Sequence, residues 1–417
     1  MSHHSRLRVL LLVNQFPPDV NPSGKLMMEL ARGLMQRGHE LHVVTTFPHY
    51  AEFRVDREYR GKWIHRTDEN GIRVSRVWVF ASGAKQRMWH RLANYVSYNA
   101  AAFLAAQASA ADYDVILAPN GSFFTGLTAA ALGLLRGTRF IYNVQDIYPD
   151  VPARAGQLDS TLQVRGLQLI ERAMYRAAAH VSVISSAQRE NLLAKGVPAD
   201  RITVIPNFVD IDRIKPQIAD AELIQRFGWQ NKLVVAHSGN LGFAYDLDTL
   251  LDAAHQLRNR TDIQFAIIGD GVRKADLQQR AERLALRNLQ FLPFQPEADL
   301  PRLRASVDVQ VSLYRRRSSE LSLPSKLYEI MASGRPVIAS AEADSDVARL
   351  IQQAGSGIVV EPERADLLAE AVGTLSTDAT LRSRLGESGR RYVTNHHSVT
   401  SVLDQYEALL EQVVRRH

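Results

Sequence analysis

The 417-residue chain contains no cysteine. Disulfides and thiolate metal sites are therefore excluded, and the absence suits a reducing compartment. Long apolar runs are missing too. No segment offers about 20 uninterrupted apolar residues, so the chain is not expected to cross a membrane. The run Val9–Val13 is too short to span, is followed by Asn14 and lacks a small-residue cleavage site, so it reads as a first β-strand rather than a signal peptide. There is no GxGxxG and no P-loop, which argues against simple dinucleotide or ATP binding. An aromatic-basic array that would stack bases is absent, so nucleic acid is not expected as a partner. His49, His396 and His397 carry no ligand spacing, and His237 reads as a packed strand residue; no metal site is predicted.

What is present fits a folded protein. The hydrophobic fraction is 46% and the charged fraction 23%, values of ordinary globular chains. The length suits two domains of about 200 residues each. A formal net charge of +6 favours anionic partners such as phosphates or anionic lipids.

Short apolar runs alternate with helical stretches, twice over. Strands are predicted at Arg8–Asn14, Leu41–Thr46, Ile72–Val79, Val115–Ala118, Arg139–Asn143, His180–Ile184 and Ile202–Ile205, then at Leu233–His237, Gln264–Ile268, Leu289–Leu292, Val307–Ser312, Pro336–Ala339 and Gly357–Val360. Helices such as Lys25–Arg37 and Leu162–Ala178 lie between them. Buried runs alternating with helices imply parallel sheets built from βαβ crossovers. The pattern breaks near Pro206–Gln230. The reading is thus α/β, with two Rossmann-like domains facing a central cleft at the C-terminal ends of the strands. The expected boundaries are 1–208, 209–387, and a helical stretch 388–417 that could cross back onto the first domain.

Two segments hold candidate chemistry. After the first strand, three prolines keep Gln15–Lys25 irregular, and a helix is expected to follow. Gly24 permits close backbone approach, while Lys25 adds charge at a helix N-terminus, a combination suited to a phosphate. In the second half, Ser319–Ser340 reads as loop, helix, turn and strand. Ser325 is the expected helix cap, Lys326 lies in the first turn, and Gly334 ends the helix. Glu329 follows Lys326 by one turn, about 5 Å along the axis, close to the separation of a nucleotide's phosphates from its ribose. The same pair would also serve as a simple i,i+3 surface pair.

These pieces, together with NVQDIYPD, VIPNFVD, HSGNLG, IIGDG and LPSKLYEIMASGRPVIAS, occur in an order that resembles the family 4 glycosyltransferases of the GT-B fold, in particular the bacterial exopolysaccharide and colanic-acid biosynthesis type. The resemblance implies retaining transfer from a nucleotide diphosphate sugar, UDP- or GDP-type, with the donor as co-substrate and no further cofactor or metal. It assigns Glu329 to the ribose, Ser325 and Lys326 to the diphosphate, and Gly24 to the loop facing the donor phosphates and the acceptor. Gly239 and Asn240 fall in the loop after the first strand of the second domain. There the family usually carries a basic pair, and this chain has Asn240 and Tyr245 instead. Lys326 and the run Arg315–Arg317 are the candidate replacements. The family's first glutamate would fall at Leu321, which makes neighbouring Glu320 a secondary candidate. Its active-site histidine would fall at Gln145, also a secondary candidate, with Asp146 beside it to orient hydroxyls.

On this reading Asp146 and Lys326 carry catalysis. The acceptor is a glycan or a lipid-linked sugar, and the protein works in the cytoplasm at the inner face of the cell membrane. The segment 84–110 places Lys85, Arg87 and Arg91 beside Met88, Trp89, Leu92 and Tyr95, a mixture suited to a peripheral membrane contact. The competing readings are a nucleotide-sugar binding protein without transfer, motivated by the missing basic pair and Gln145, and a GT-B epimerase.

Overall fold

The computed structural model describes residues 6–19, 22–50, 52–83, 88–150, 161–243, 245–316 and 323–415. The chain divides into two compact units, Met1–Asn207 with Val399–His417, and Phe208–Ser398.

In the first unit the strands are β1 (Arg8–Leu12), β2 (Glu40–Thr46), β3 (Ile64–Glu69), β4 (Ile72–Val77), β5 (Val115–Pro119), β6 (Arg139–Val144), β7 (His180–Val183) and β8 (Ile202–Val204). They form one sheet in the order β3-β4-β2-β1-β5-β6-β7-β8. All neighbours are parallel except the edge pair β3–β4. Its helices are α1 (Pro22–Gln36), α2 (Met88–Gln107), α3 (Thr125–Arg136), α4 (Thr161–Ala177) and α5 (Ser186–Ala194). Leu10, Leu11, Leu12, Val43 and Val44 are almost wholly buried, as central strands covered on both faces require. Local chemistry sets the helix ends. The Ser185 hydroxyl accepts from the Gln188 amide to open α5, and Gly137 closes α3 in the left-handed region at φ 66°.

In the second unit the helices are α6 (Ala221–Phe227), α7 (Leu247–Gln256), α8 (Lys274–Arg283), α9 (Leu300–Ala305), α10 (Lys326–Ala332), α11 (Asp346–Ala354), α12 (Ala365–Thr377) and α13 (Ala379–His396). They accompany strands β9 (Leu233–Asn240), β10 (Ile263–Asp270), β11 (Leu289–Leu292), β12 (Val309–Leu313), β13 (Val337–Ser340) and β14 (Gly357–Val360). These strands form a wholly parallel sheet in the order β11-β10-β9-β12-β13-β14. The order reverses between β9 and β12, the place where an open α/β sheet offers a ligand crevice at its strand ends.

The expected strands all form, with end shifts of at most three residues. One strand was not expected: β3. It carries Arg66, Asp68 and Glu69 and lies antiparallel at the sheet edge, so it has no apolar run to announce it. Its turn is Asn70-Gly71, both with positive φ (54° and 87°), the geometry that closes a two-residue hairpin.

The C-terminal stretch expected to be one helix is two. Helix α13 ends at His396, and α14 (Val399–Arg415) begins three residues later. Ser388–His396 thus belongs to the second unit, and only the last helix joins the first. That helix is held by ion pairs from Arg37 to Asp404 (2.6 Å) and Glu407 (2.7 Å), by His39 at 3.3 Å from Glu407, and by Asn143 donating to the Tyr406 hydroxyl at 3.1 Å. Gly33 makes room for it: a Cβ there would lie 2.3 Å from Leu403.

Candidate functional site

In the second unit, the ends of β9 and β10 run side by side out to Gly239 and Gly269. A Cβ on Gly269 would meet the Gly239 carbonyl oxygen at 1.9 Å, so only glycine permits this approach. Gly239 itself sits at φ 139°, and a Cβ on it would face the Lys326 ammonium at 3.9 Å. Asn240 follows at the exposed strand end. Three expected residues, Gly239, Asn240 and Lys326, are thus close together.

Lys326 opens α10 and is half-buried. Its Nζ lies 3.4 Å from His237 Nδ1 and 5.6 Å from the centre of the Tyr245 ring. Among the described residues no carboxylate forms an ion pair with it. Burial, then the nearby Arg304 guanidinium, pull its ammonium down to about 7, while Glu329 acts in the opposite sense. His237 is fully buried, and burial followed by the charge of Lys326 holds it well below the usual histidine range. It is therefore neutral. Its Nε2 is buried with no hydrogen-bond partner among the described residues.

Glu329 lies one turn further along α10. Its carboxylate is paired with Arg304, whose side chain is 7% exposed against 29% for Glu329. Arg304 also donates to Gln310 Oε1 at 3.3 Å. The glutamate is therefore held from below by an arginine on α9, not by Lys326, and keeps part of its surface accessible. Sequence reasoning missed Arg304 because it lies 25 residues away on a separate helix.

Ser325 does not cap α10. Its backbone is already helical (φ −56°, ψ −23°), and its side chain makes no cap bond. Among the described residues, the first hydrogen bonds of the helix are Leu327 donating to Pro324 O (3.1 Å) and Tyr328 to Ser325 O (3.0 Å). Gly334 ends the segment at φ 71°, as its sequence position suggested.

Arg315 is placed differently from the expectation. It donates to Asp248 at 3.0 Å, in a network where Asp248 also binds Arg273 (2.5 Å) and Arg280 (2.7 Å). Arg316 pairs with Glu361 at 3.1 Å. These charges are already opposed by carboxylates. Arg317 and the candidate Glu320 lie outside the described residues.

In the first unit, a cavity of about 450 Å³ opens at the C-terminal ends of β1, β5 and β6. Its lining includes Asn14, Tyr50, Arg91, Tyr95, Gln145 and Asp146. Helix α1 begins at Pro22, so Gly24 lies inside its first turn and not in the loop before it. A Cβ on Gly24 would stand 2.8 Å from the Gln15 carbonyl oxygen, which means the close approach served is to the chain's own backbone. Lys25 follows on the same turn, half-buried. Asp19 accepts from the His49 and Tyr50 amides at 3.1 and 2.9 Å, bracing one wall. His49 Nε2 accepts from Asn94 at 3.0 Å and its Nδ1 faces Phe47 O at 2.9 Å, so this histidine is a satisfied wall residue.

Gln145 is fixed at both ends of its amide, donating to Asn143 Oδ1 (2.7 Å) and accepting from Asn207 (2.9 Å). A carboxamide is neither acid nor base in this pH range, and the two bonds make it a brace. Asn120 accepts from the Gln145 amide at 2.8 Å and donates to the Asp146 carbonyl at 2.5 Å, shaping the turn that presents Asp146. The Asp146 carboxylate opens into the cavity, and the surrounding protein pushes its pKa upward. Among the described residues, no three His, Asp or Glu side chains come together as a metal-ligand set.

The comparisons agree with this architecture. Residues 23–207 match the profile of the glycosyl transferase 4-like domain, and residues 220–392 match glycosyl transferases group 1. The chain is a family 4 glycosyltransferase of the GT-B fold. It is 27% identical over 409 residues to the putative colanic acid biosynthesis glycosyl transferase WcaI of Escherichia coli, covering 96% of this chain and 98% of that protein. A GDP-mannose-dependent alpha-mannosyltransferase of Mycobacterium tuberculosis is 25% identical over 335 residues, with 80% of this chain and 79% of that protein covered. Among solved structures, the glycosyltransferase resembles Anabaena HepE in complex with UDP (TM-score 0.74, 19% identity, 97% of this chain and 100% of that chain), a likeness of fold.

Proposed function

We propose that this glycosyltransferase moves a sugar, with retention of configuration, from a UDP- or GDP-type nucleotide diphosphate sugar to a glycan or polyprenyl-linked acceptor in cell-surface polysaccharide synthesis. The observation that carries the donor reading is Lys326: a half-buried ammonium with no carboxylate paired to it among the described residues, facing the glycine-lined ends of β9 and β10. A diphosphate supplies the missing counter-charge. As the sugar–phosphate bond breaks, negative charge grows on the leaving diphosphate, and Lys326 stabilises it. Ser325, Gly239 and Asn240 contact the phosphates. Glu329, held by Arg304, accepts from the ribose hydroxyls. Arg315, already bound to Asp248, has a lesser part than Lys326.

The cavity of the first unit takes the acceptor. Asp146 orients its hydroxyl, and the departing phosphate takes the proton, so no separate strong base is required. Transfer proceeds without a bound metal, as the family resemblance implies. The WcaI likeness supports the polysaccharide setting. The protein works in the cytoplasm at the inner face of the membrane, which it touches through 84–110; no helix among the described residues is long and apolar enough to cross a membrane.

Purified protein incubated with UDP- and GDP-sugars and a membrane extract should transfer labelled sugar to extractable lipid or glycan, with EDTA making no difference. Donor binding without turnover on any acceptor fraction would leave a binding protein instead, and conversion of free donor to its epimer would make it an epimerase.

A further inference from the structure

Helices α2, α3 and α4 pack side by side on one face of the first sheet, and their outward surfaces are not those of ordinary amphipathic helices. On α2, Trp89 is 77% exposed, Val96 52% and Leu104 65%, a stripe that Leu92 and Ala100 continue. Helix α3 continues the surface with Leu127, Leu134 (86% exposed) and Leu135, at helical spacing. Helix α4 adds Leu162 and Leu169, again two turns apart. A helix lying on a soluble sheet normally turns polar residues outward, and contiguous apolar patches of this kind mark interaction surfaces.

The charges say what covers it. The outer face of α4 also carries Arg165, Arg172 and Arg176, all exposed. Across the three helices the one acidic residue is Glu171, and it is buried, paired with Lys195 at 2.8 Å. An exposed acid is therefore absent from all three helices. The surface is also stiff: Arg136 at the end of α3 donates to the carbonyls of Ala106, Gln107, Ser109 and Ala111 at 2.8–2.9 Å, locking α3 to the C-terminus of α2. Arg91, by contrast, lines the cavity rather than this face, and Lys85 and Arg87 lie outside the described residues. The cationic character expected of α2 is thus supplied by α4.

We infer that α2, α3 and α4 together form a docking face for an anionic lipid bilayer, with leucine and tryptophan side chains entering the acyl boundary and the α4 arginines meeting lipid phosphates. This rests on the membrane contact proposed above and extends it from one helix to three. A second copy of the chain is disfavoured as occupant, because an isologous pairing would bring arginines together with no acid to oppose them.

The test is co-sedimentation of the full chain, without donor, with vesicles of phosphatidylcholine alone or with about a quarter phosphatidylglycerol. Binding should require the anionic lipid and fall with salt. The variant Leu134→Asp/Leu135→Asp/Leu169→Asp should lose at least about tenfold in partitioning, and Arg165→Gln/Arg172→Gln/Arg176→Gln should bind less and lose most of its salt dependence. Wild-type protein that stays in the supernatant, or leucine or arginine variants that bind like wild type, would overturn the inference. So would a dimer in light scattering that the leucine variant dissociates. Because sedimentation uses no donor, these outcomes are separate from failure of the transferase reading, which shows as loss of nucleotide-sugar binding in the same preparations.

Discussion

Lys326 gives the sharpest handle on the donor site, because its proton is loosely held until an anion arrives. In the free protein its pKa is about 7. A bound diphosphate provides the counter-charge and returns it towards the ordinary value of about 10.4. At pH 8 about one free molecule in ten carries the proton and nearly every complex does, so binding takes up about 0.9 proton; at pH 6 the uptake falls to about 0.1. Apparent affinity should therefore drop by about tenfold per pH unit above 7, or about 1.4 kcal/mol. Calorimetric titration of a nucleotide diphosphate sugar, whose phosphates do not titrate in this range, in two buffers of different ionisation enthalpy counts the protons directly. The folded protein shows the same group with the opposite partner: the unfolded chain holds the proton between the folded and unfolded pKa values, so stability without donor should rise with pH from about 7 to about 10. Lys326→Met should abolish both effects. Absence of proton uptake at pH 8, or an equal uptake in Lys326→Met, would refute the placement of the diphosphate beside this ammonium.

Three further outcomes are expected. Asp146→Asn should lower transfer by about tenfold or more at saturating donor while leaving donor affinity unchanged, since the carboxylate faces the cavity of the first unit; a change in donor affinity alone in steady-state kinetics would contradict this. Gly24→Ala should destabilise the protein by about 1–3 kcal/mol in urea unfolding, because its methyl would press on the Gln15 carbonyl; unchanged stability would show that the first turn of α1 shifts freely. Arg315→Gln should change donor affinity by no more than about twofold, its charge being shared with Asp248, and a loss of about tenfold would restore it as a donor contact.

Much of the fold was legible because the central strands of both sheets are parallel and buried on both faces, so strands such as Leu10–Leu12 and Val234–Ala236 announce themselves as apolar runs. The polar edge strand β3 had no such run, although Asn70-Gly71 marked its turn. The site was legible only where its residues are neighbours in the chain. Lys326 and Glu329 share a helix, and Gly239 ends a strand. Arg304, by contrast, reaches Glu329 from another helix, and Asp248 claims Arg315 across 67 residues. Position alone could not show that Gln145 is pinned between Asn143 and Asn207, nor that Gly24 serves its own backbone. Partnership in three dimensions decides whether a charged side chain is free to meet a ligand.

The proposed contact between Glu329 and the ribose offers the most direct test of the donor site. UDP and GDP should each be titrated against their 2′,3′-dideoxy counterparts, in wild-type protein and in Glu329→Gln, which keeps an oxygen for Arg304. Removing the hydroxyls should cost the wild type about tenfold or more in affinity and the variant much less. An identical penalty in both proteins would place the ribose elsewhere and contradict the donor site described.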